Sequence, residues 1–264
     1  MRAKSAALGV LFAMVPMFPV LAQQPSSVVE ISFLQPKPGM TRAYEAGRKK
    51  HMAWHKSQKD TWSWFTWEVV SGEGTGSYIT GTFQHAWKDF DGREKFTQAD
   101  SVDFEANVGA SVAHSSTRYY VQRADISLST AASLSPAPMT AVTVFALKAE
   151  SVNEFVEAVK KINEGIKKTN YPQAGPNRWY QLLNGGEGPQ FVLVSDRANW
   201  AAFQPNEKTL DAMMEEAYGK EQGAAILASL RKGIRSTTTQ ANKYRPDLSY
   251  VAPKLVAAAG LQAQ

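Results

Sequence analysis

Arg123-Ala124-Asp125-Ile126-Ser127 returns near the end of the chain as Arg245-Pro246-Asp247-Leu248-Ser249. Each copy follows a run of small hydroxyl residues, Ser115-Ser116-Thr117 in one case and Thr237-Thr238-Thr239 in the other. The displacement, 245 − 123 = 122 residues, is far longer than the about 20–50 residues of a solenoid unit. A whole domain has been copied.

Other matches keep the same order outward from this motif. Val29-Glu30-Ile31-Ser32-Phe33 and Val142-Thr143-Val144-Phe145-Ala146 both read as opening strands. Glu45-Ala46 and Lys49 correspond to Glu157-Ala158 and Lys161, displaced by 112. Gly72-Glu73-Gly74 corresponds to Gly186-Glu187-Gly188, and Trp87 and Phe90 to Trp200 and Phe203. A slowly changing displacement is what loop insertions produce, and its late jump places extra helix between Leu210 and Arg231. The first repeat is read as 28–127 and the second as 140–249. A Ser-, Ala- and Pro-rich linker at 128–139 joins them, and an Ala-rich tail follows at 250–264.

Arg2 and Lys4 precede an apolar stretch from Leu8 to Leu21 that ends on Ala22, the pattern of a secretory signal peptide over 1–22. The stretch is shorter than the about 20 residues of a membrane span. The expected location is periplasmic or secreted, with no membrane association after cleavage. No cysteine is present, which excludes disulfides and thiolate metal sites. Without Arg2 and Lys4 the chain carries 29 − 2 = 27 basic against 24 acidic residues. The positive charges are dispersed, so nucleic acid is not an expected partner.

Each half reads strand, helix, strand, turn, strand, helix, strand. Ser151-Val152-Asn153-Glu154 has the form of a capping box, and Val152, Phe155, Val156, Val159 and Ile166 behind it form one apolar helix face. Thr61 to Val70 reads as a strand with large residues on both faces, so both faces are covered. Helices cover one, and the second half is the natural cover for the other.

Two β-α-β-β-α-β units with sheets buried on both faces resemble the dimeric α+β barrel superfamily in its tandem form. The fold class expected is therefore α+β: two ferredoxin-like units packed sheet to sheet as a pseudo-dimeric barrel, either a monomer or a homodimer of such chains. The resemblance covers nearly all of the chain after the leader but rests on element order, with no catalytic motif. It implies a ligand between sheet and helices or inside the barrel. Members include cofactor-independent monooxygenases, haem enzymes similar to chlorite dismutase and muconolactone isomerase-like proteins, so the fold does not choose the chemistry.

His51 is the most pointed candidate. On a helix from Met40 to Gln58 it shares an inward stripe with Met40, Tyr44, Gly47 and Trp54. Asn163 is its counterpart in the second half, and a polar residue at one inward position in both suggests a wet pocket beneath each helix. Satisfaction within the protein is the competing reading. His51 and His55 have the i, i+4 spacing of a helical metal pair, but Met52 stands where a metalloprotease helix places its glutamate, and no metal is assigned. Haem, implied by the resemblance alone, would use His51 or His114; no cofactor is assigned.

Arg118, Tyr119 and Tyr120 sit on the last strand of the first half, where the second half has Gln240, Ala241 and Asn242. Arg118 offers a fixed fork of donors for a carboxylate or enolate, with surface packing along an aromatic as the alternative. Trp54, Trp64 and Trp67 could stack on a planar ligand or serve as core. The repeated Arg-x-Asp-[Ile/Leu]-Ser reads as structural. Two functions follow: an exported binder of a small apolar or aromatic ligand in a pocket between sheet and helices, or a monooxygenase- or isomerase-like enzyme. In the enzyme His51 would be the general base, with Arg118 and Tyr120 beside the developing enolate.

Overall fold

The structure is a computed structural model that describes residues 27–129 and 136–255. The expected leader at 1–22, residues 130–135 of the linker and 256–264 of the tail lie outside the described residues.

In the first half β1 (Val28–Pro36) leads into α1 (Thr41–Ser57), β2 (Phe65–Ser71) and β3 (Tyr78–His85). A one-turn helix α2 (Trp87–Asp91), then α3 (Glu94–Asn107) and β4 (Val112–Gln122) complete it. The second half repeats the plan with β5 (Met139–Leu147), α4 (Val152–Lys168), β6 (Asn177–Asn184), β7 (Gln190–Arg197), α5 (Leu210–Tyr218), α6 (Lys220–Lys232) and β8 (Ile234–Tyr244).

All strand pairs are antiparallel, and their order is β1-β3-β2-β8-β5-β7-β6-β4, closing back on β1. Each half supplies four consecutive staves. The expected sheet-to-sheet packing is thus completed by hydrogen-bonded seams at β2–β8 and β4–β6, where Trp67 faces Tyr244 and Tyr120 faces Leu182. Closure removes every unpaired sheet edge.

Alternation along the strands sends Val29, Ile31 and Phe33 of β1 and Val142 and Val144 of β5 into the barrel. The opposite faces carry the helices. Leu147, Phe155, Val156, Val159, Trp179 and Phe191 form the core under α4; Leu34, Tyr44, Tyr78 and Val108 form the one under α1. Helix α1 meets α3 closely at Gly47, where a Cβ would stand 2.1 Å from the Asn107 carbonyl oxygen. Only glycine fits there.

The two copies of the repeated pentapeptide are reciprocal clasps. Each forms a 3₁₀ turn after the last strand of its half and docks on the other half. Arg123 N–H donates to the Trp179 carbonyl and Arg245 N–H to the Thr66 carbonyl, both at 2.8 Å. Ser127 Oγ accepts from Trp179 N–H and Ser249 Oγ from Thr66 N–H, both at 2.9 Å. Each serine donates back to the arginine carbonyl of its own motif, and each arginine pairs with its own aspartate. Ile126 enters the core under α4 and Leu248 the core under α1, both fully buried. Each such side chain contributes about 1.5–3 kcal/mol across the boundary between halves.

Three local expectations are corrected. The strand expected at Thr61–Val70 begins at Phe65: Trp62 precedes the sheet, and Trp64 is joined to it only through an isolated bridge to Tyr250. Ser151 makes no side-chain cap, because the residues before α4 form a 3₁₀ turn, Ala149–Ser151, instead of an open capping box. The expected first helix is one residue shorter at each end, Thr41–Ser57.

Candidate functional site

The barrel encloses a cavity of about 1020 Å³. Its wall is apolar over most of its extent, with Val29, Ile31 and Phe33 facing Val142, Val144, Val192 and Val194, and Phe65, Trp67 and Phe83 along one side. A void of this size takes a drug-sized molecule. The cavity lies inside the barrel, and the opposite face of each sheet is covered by the core under its helices.

The polar groups on this wall are mostly engaged with one another. Arg178 and Asp196 form a buried bidentate pair, one contact being 3.0 Å. Tyr120 donates to Gln190 Oε1 at 3.3 Å, and Gln240 donates to Asn242 at 2.9 Å. Arg118 has no carboxylate partner among the described residues. Its guanidinium lies 4.8 Å from the centre of the Phe33 ring, and its Nε–H is buried without an acceptor. Burial pushes the Tyr120 phenol up, against the opposing pull of the adjacent Arg118 cation. Tyr120 is therefore a neutral donor at physiological pH. A cation without a carboxylate, on a mostly apolar wall, suits an apolar ligand with an anionic oxygen.

A second polar cluster lies on the outer side of the sheet, where α1 crosses α3. His51 Nδ1 is 2.8 Å from Asp103 Oδ1 and His55 Nδ1 is 2.8 Å from Asp60 Oδ2. Asp60 also accepts both guanidinium donors of Arg93 at 2.6 Å, the indole N–H of Trp64 at 3.0 Å and the Trp62 backbone N–H at 2.9 Å. Burial pushes the Asp60 carboxyl up, but the bonds from His55 and Arg93 outweigh it and hold the group well below the usual carboxylate range. Arg93 is sandwiched between Trp62 and Phe96, 4.4 and 4.1 Å from their ring centres. Among the described residues, His51, His55 and Asp100 form the group whose donor atoms converge closely enough to hold a cation.

The expected site residues are therefore divided between two places. Arg118, Tyr120 and Trp67 line the cavity. Tyr119, one residue out of phase, points away from it and packs 5.3 Å from Trp87 and 5.6 Å from Phe90. His51 is buried in the outer cluster with Trp54 stacked 6.0 Å away, and Trp64 packs with Met52 and Tyr250 behind His55. Asn163 is not on the wall of this cavity: it donates to the Ile126 carbonyl at 2.6 Å and so secures the first clasp. His51 and Arg118 are not brought together, because α1 lies on the outer face of the sheet whose inner face carries Arg118. The histidine on the cavity wall is His85, whose Nε2 lies 2.6 Å from Thr82 Oγ1 and whose ring stacks 3.6 Å from Trp62.

Sequence reasoning passed over Asp60, Arg93, Asp100 and Asp103 in the outer cluster, and Arg178 and Asp196 in the cavity. The available signal was the polar stripe Asp100, Asp103 and Asn107 on α3, spaced i, i+3, i+7 on a single face.

The histidines do not fit a haem. His51 and His55 lie across the sheet from the chamber, packed against Phe104, Trp54 and Phe96, and His114 is an exposed residue of β4. His85 turns its ring face, not a free nitrogen, onto its neighbour Trp62.

No family model matches the chain, and no curated protein matches it either. Solved structures do. A candidate monooxygenase from Lactobacillus acidophilus NCFM superposes with a TM-score of 0.52 at 11% identity, over 86% of this chain and 97% of its own. An anthrone oxidase-like protein gives 0.55 at 14% identity, over 88% and 95%. A candidate chlorite dismutase gives 0.51 at 13% identity, over 85% and 96%. At these identities the likeness is one of fold: the chain has the dimeric α+β barrel architecture, with both ferredoxin-like units in a single polypeptide.

Proposed function

We propose that this is an exported protein, periplasmic or secreted, that binds a small apolar or aromatic acid inside the barrel. Arg118 receives the anionic oxygen in this reading. The observation that carries it is the Arg118 guanidinium, beside Tyr120 and without a carboxylate partner among the described residues, on the mostly apolar wall of a chamber of about 1020 Å³. A ligand carboxylate, phenolate or enolate would supply the charged acceptor that its buried Nε–H lacks. The leader-like residues 1–22 support export.

Calorimetric titration with 2-naphthoate tests the reading. Wild-type protein should bind it, and Arg118→Leu should bind at least tenfold more weakly with its fold intact, since a hydrogen bond to a charged group is worth about 1.5–3 kcal/mol. No binding by wild type, or equal binding by the variant, would refute it.

A second reading, a cofactor-independent monooxygenase, is favoured by the pairing of Arg118 with Tyr120 and by fold neighbours bearing that description. Arg118 would steady a substrate enolate and Tyr120 would donate to the same oxygen. His51 is not its base, because it lies across the sheet from the chamber. Oxygen uptake on an anthrone, abolished in Arg118→Leu, would support this reading over simple binding.

A further inference from the structure

The geometry points to a binding site for one divalent transition-metal cation of the zinc class, held by His51 Nε2, His55 Nε2 and Asp100 Oδ1 between α1 and α3. It is independent of the chamber inside the barrel and of the function proposed for it.

Three distances define the triangle. His51 Nε2 is 3.2 Å from Asp100 Oδ1, His55 Nε2 is 3.3 Å from the same oxygen, and the two Nε2 atoms are 3.3 Å apart. Ligands at about 2.0–2.1 Å from a tetrahedral ion lie about 3.3–3.4 Å from one another. The triangle has the size of one face of such a coordination sphere. Asp100 Oδ1 is buried, and its geometry to both rings satisfies no hydrogen bond.

Tautomer chemistry leads to the same place. Asp103 and Asp60 each engage an Nδ1 atom at 2.8 Å, and a carboxylate there fixes the proton on that nitrogen. With both rings neutral and protonated at Nδ1, both Nε2 lone pairs face Asp100 Oδ1, and a cation there takes the place of the proton that otherwise bridges one of these pairs. A single proton would serve one of the pairs; a cation serves all three. Carboxylates behind metal-bound imidazoles are the usual second layer of such sites, orienting the ring and raising its basicity.

The surroundings fit a cation as well. Asp60 is neutralised by Arg93, whereas Asp100 and Asp103 have no directly paired guanidinium among the described residues; buried Arg48 acts on Asp100 only at longer range. Phe96, Phe104, Trp54 and Trp64 pack around the two rings and bury them, while the Asp100 side chain stays 20% exposed and leaves a way in for the ion. The sequence supplies the spacing: His51 and His55 are one helical turn apart on α1, and Asp100 and Asp103 occupy one face of α3 opposite them. Three protein ligands leave one position for water or another oxygen donor.

The test uses untagged full-length protein, stripped with a chelator and titrated with Zn²⁺. One equivalent should bind, and at a hundredfold excess over Kd the melting temperature should rise by about 5–10 °C. Co²⁺ in place of Zn²⁺ should give the visible absorption of a four-coordinate site. Asp100→Asn and His55→Gln should each weaken Zn²⁺ by at least tenfold, and Asp103→Asn, an orienting change, by about 10–100-fold. Zinc outranks manganese, iron and cobalt in intrinsic affinity for such ligands. Failure of folded wild type to take up stoichiometric Zn²⁺ therefore overturns the proposal, as does unchanged affinity in both ligand variants.

Discussion

The Trp179 backbone N–H donates to Ser127 Oγ at 2.9 Å, tying the closing turn of the first repeat to a strand of the second. Thr66 and Ser249 repeat the arrangement in the other direction at the same distance. The two halves are thus each completed by a side chain of the other, Ile126 in one core and Leu248 in the other. Two-fold exchange of this kind makes either half incomplete alone.

Removing a clasp should therefore destabilise the whole chain as one unit. Ile126→Ala and Leu248→Ala should each cost about 2–5 kcal/mol, and Ser127→Ala about 1–2 kcal/mol. Urea unfolding followed by tryptophan fluorescence and by circular dichroism should stay a single coincident transition. Separate transitions for the two halves would contradict reciprocal completion.

Arg93 neutralises a fully buried carboxylate. Arg93→Met should cost about 3–5 kcal/mol, because Asp60 is left charged and without its counterion. Arg93→Lys should recover little, since an ammonium cannot reproduce the bidentate fork between Trp62 and Phe96. Full recovery by lysine, measured by denaturant titration, would show that charge alone matters there.

Burial holds the His85 imidazole down to about 4, with Asp89 opposing and Arg93 adding to the effect. In the unfolded chain it titrates near 6.5. Between those values the unfolded chain binds a proton that the fold refuses, so stability is full above about pH 6.5 and falls as pH drops toward 4. From pH 7 to pH 5 those two values correspond to about 2 kcal/mol, which solvent screening of the half-buried ring brings to about 1 kcal/mol. His85→Gln should lose that much less than wild type over the same interval; parallel losses would contradict the assignment.

The chamber has room to be filled. Val144→Phe adds volume on the barrel's inner wall opposite Arg118's half and should weaken 2-naphthoate by tenfold or more while changing stability by about 1 kcal/mol or less. Undiminished binding in this variant would move the ligand out of the barrel.

Much of this architecture is legible in the linear chain. The duplicated pentapeptide, the parallel order of strands and helices and the two-faced apolar strands imply paired ferredoxin-like units, because periodicity and turn chemistry are local properties. Alternation even assigns faces within β4: Arg118 and Tyr120 share one, and Tyr119 takes the other. The inward position of His51 follows from the helical stripe in the same way.

What the local pattern lacks is any record of which faces meet. Inward on α1 means toward α3 and the outer surface of the sheet, whereas inward on β4 means toward the barrel axis, so His51 and Arg118 are both buried yet separated by a sheet. Asp100 and Asp103 gain their meaning only when α3 is laid across α1 at Gly47, and the pentapeptide becomes a clasp only when the halves are closed. Period and composition are set by neighbours a few residues away; contacts between elements far apart in the chain are set by how all surfaces are buried at once, and that decision belongs to the folded molecule.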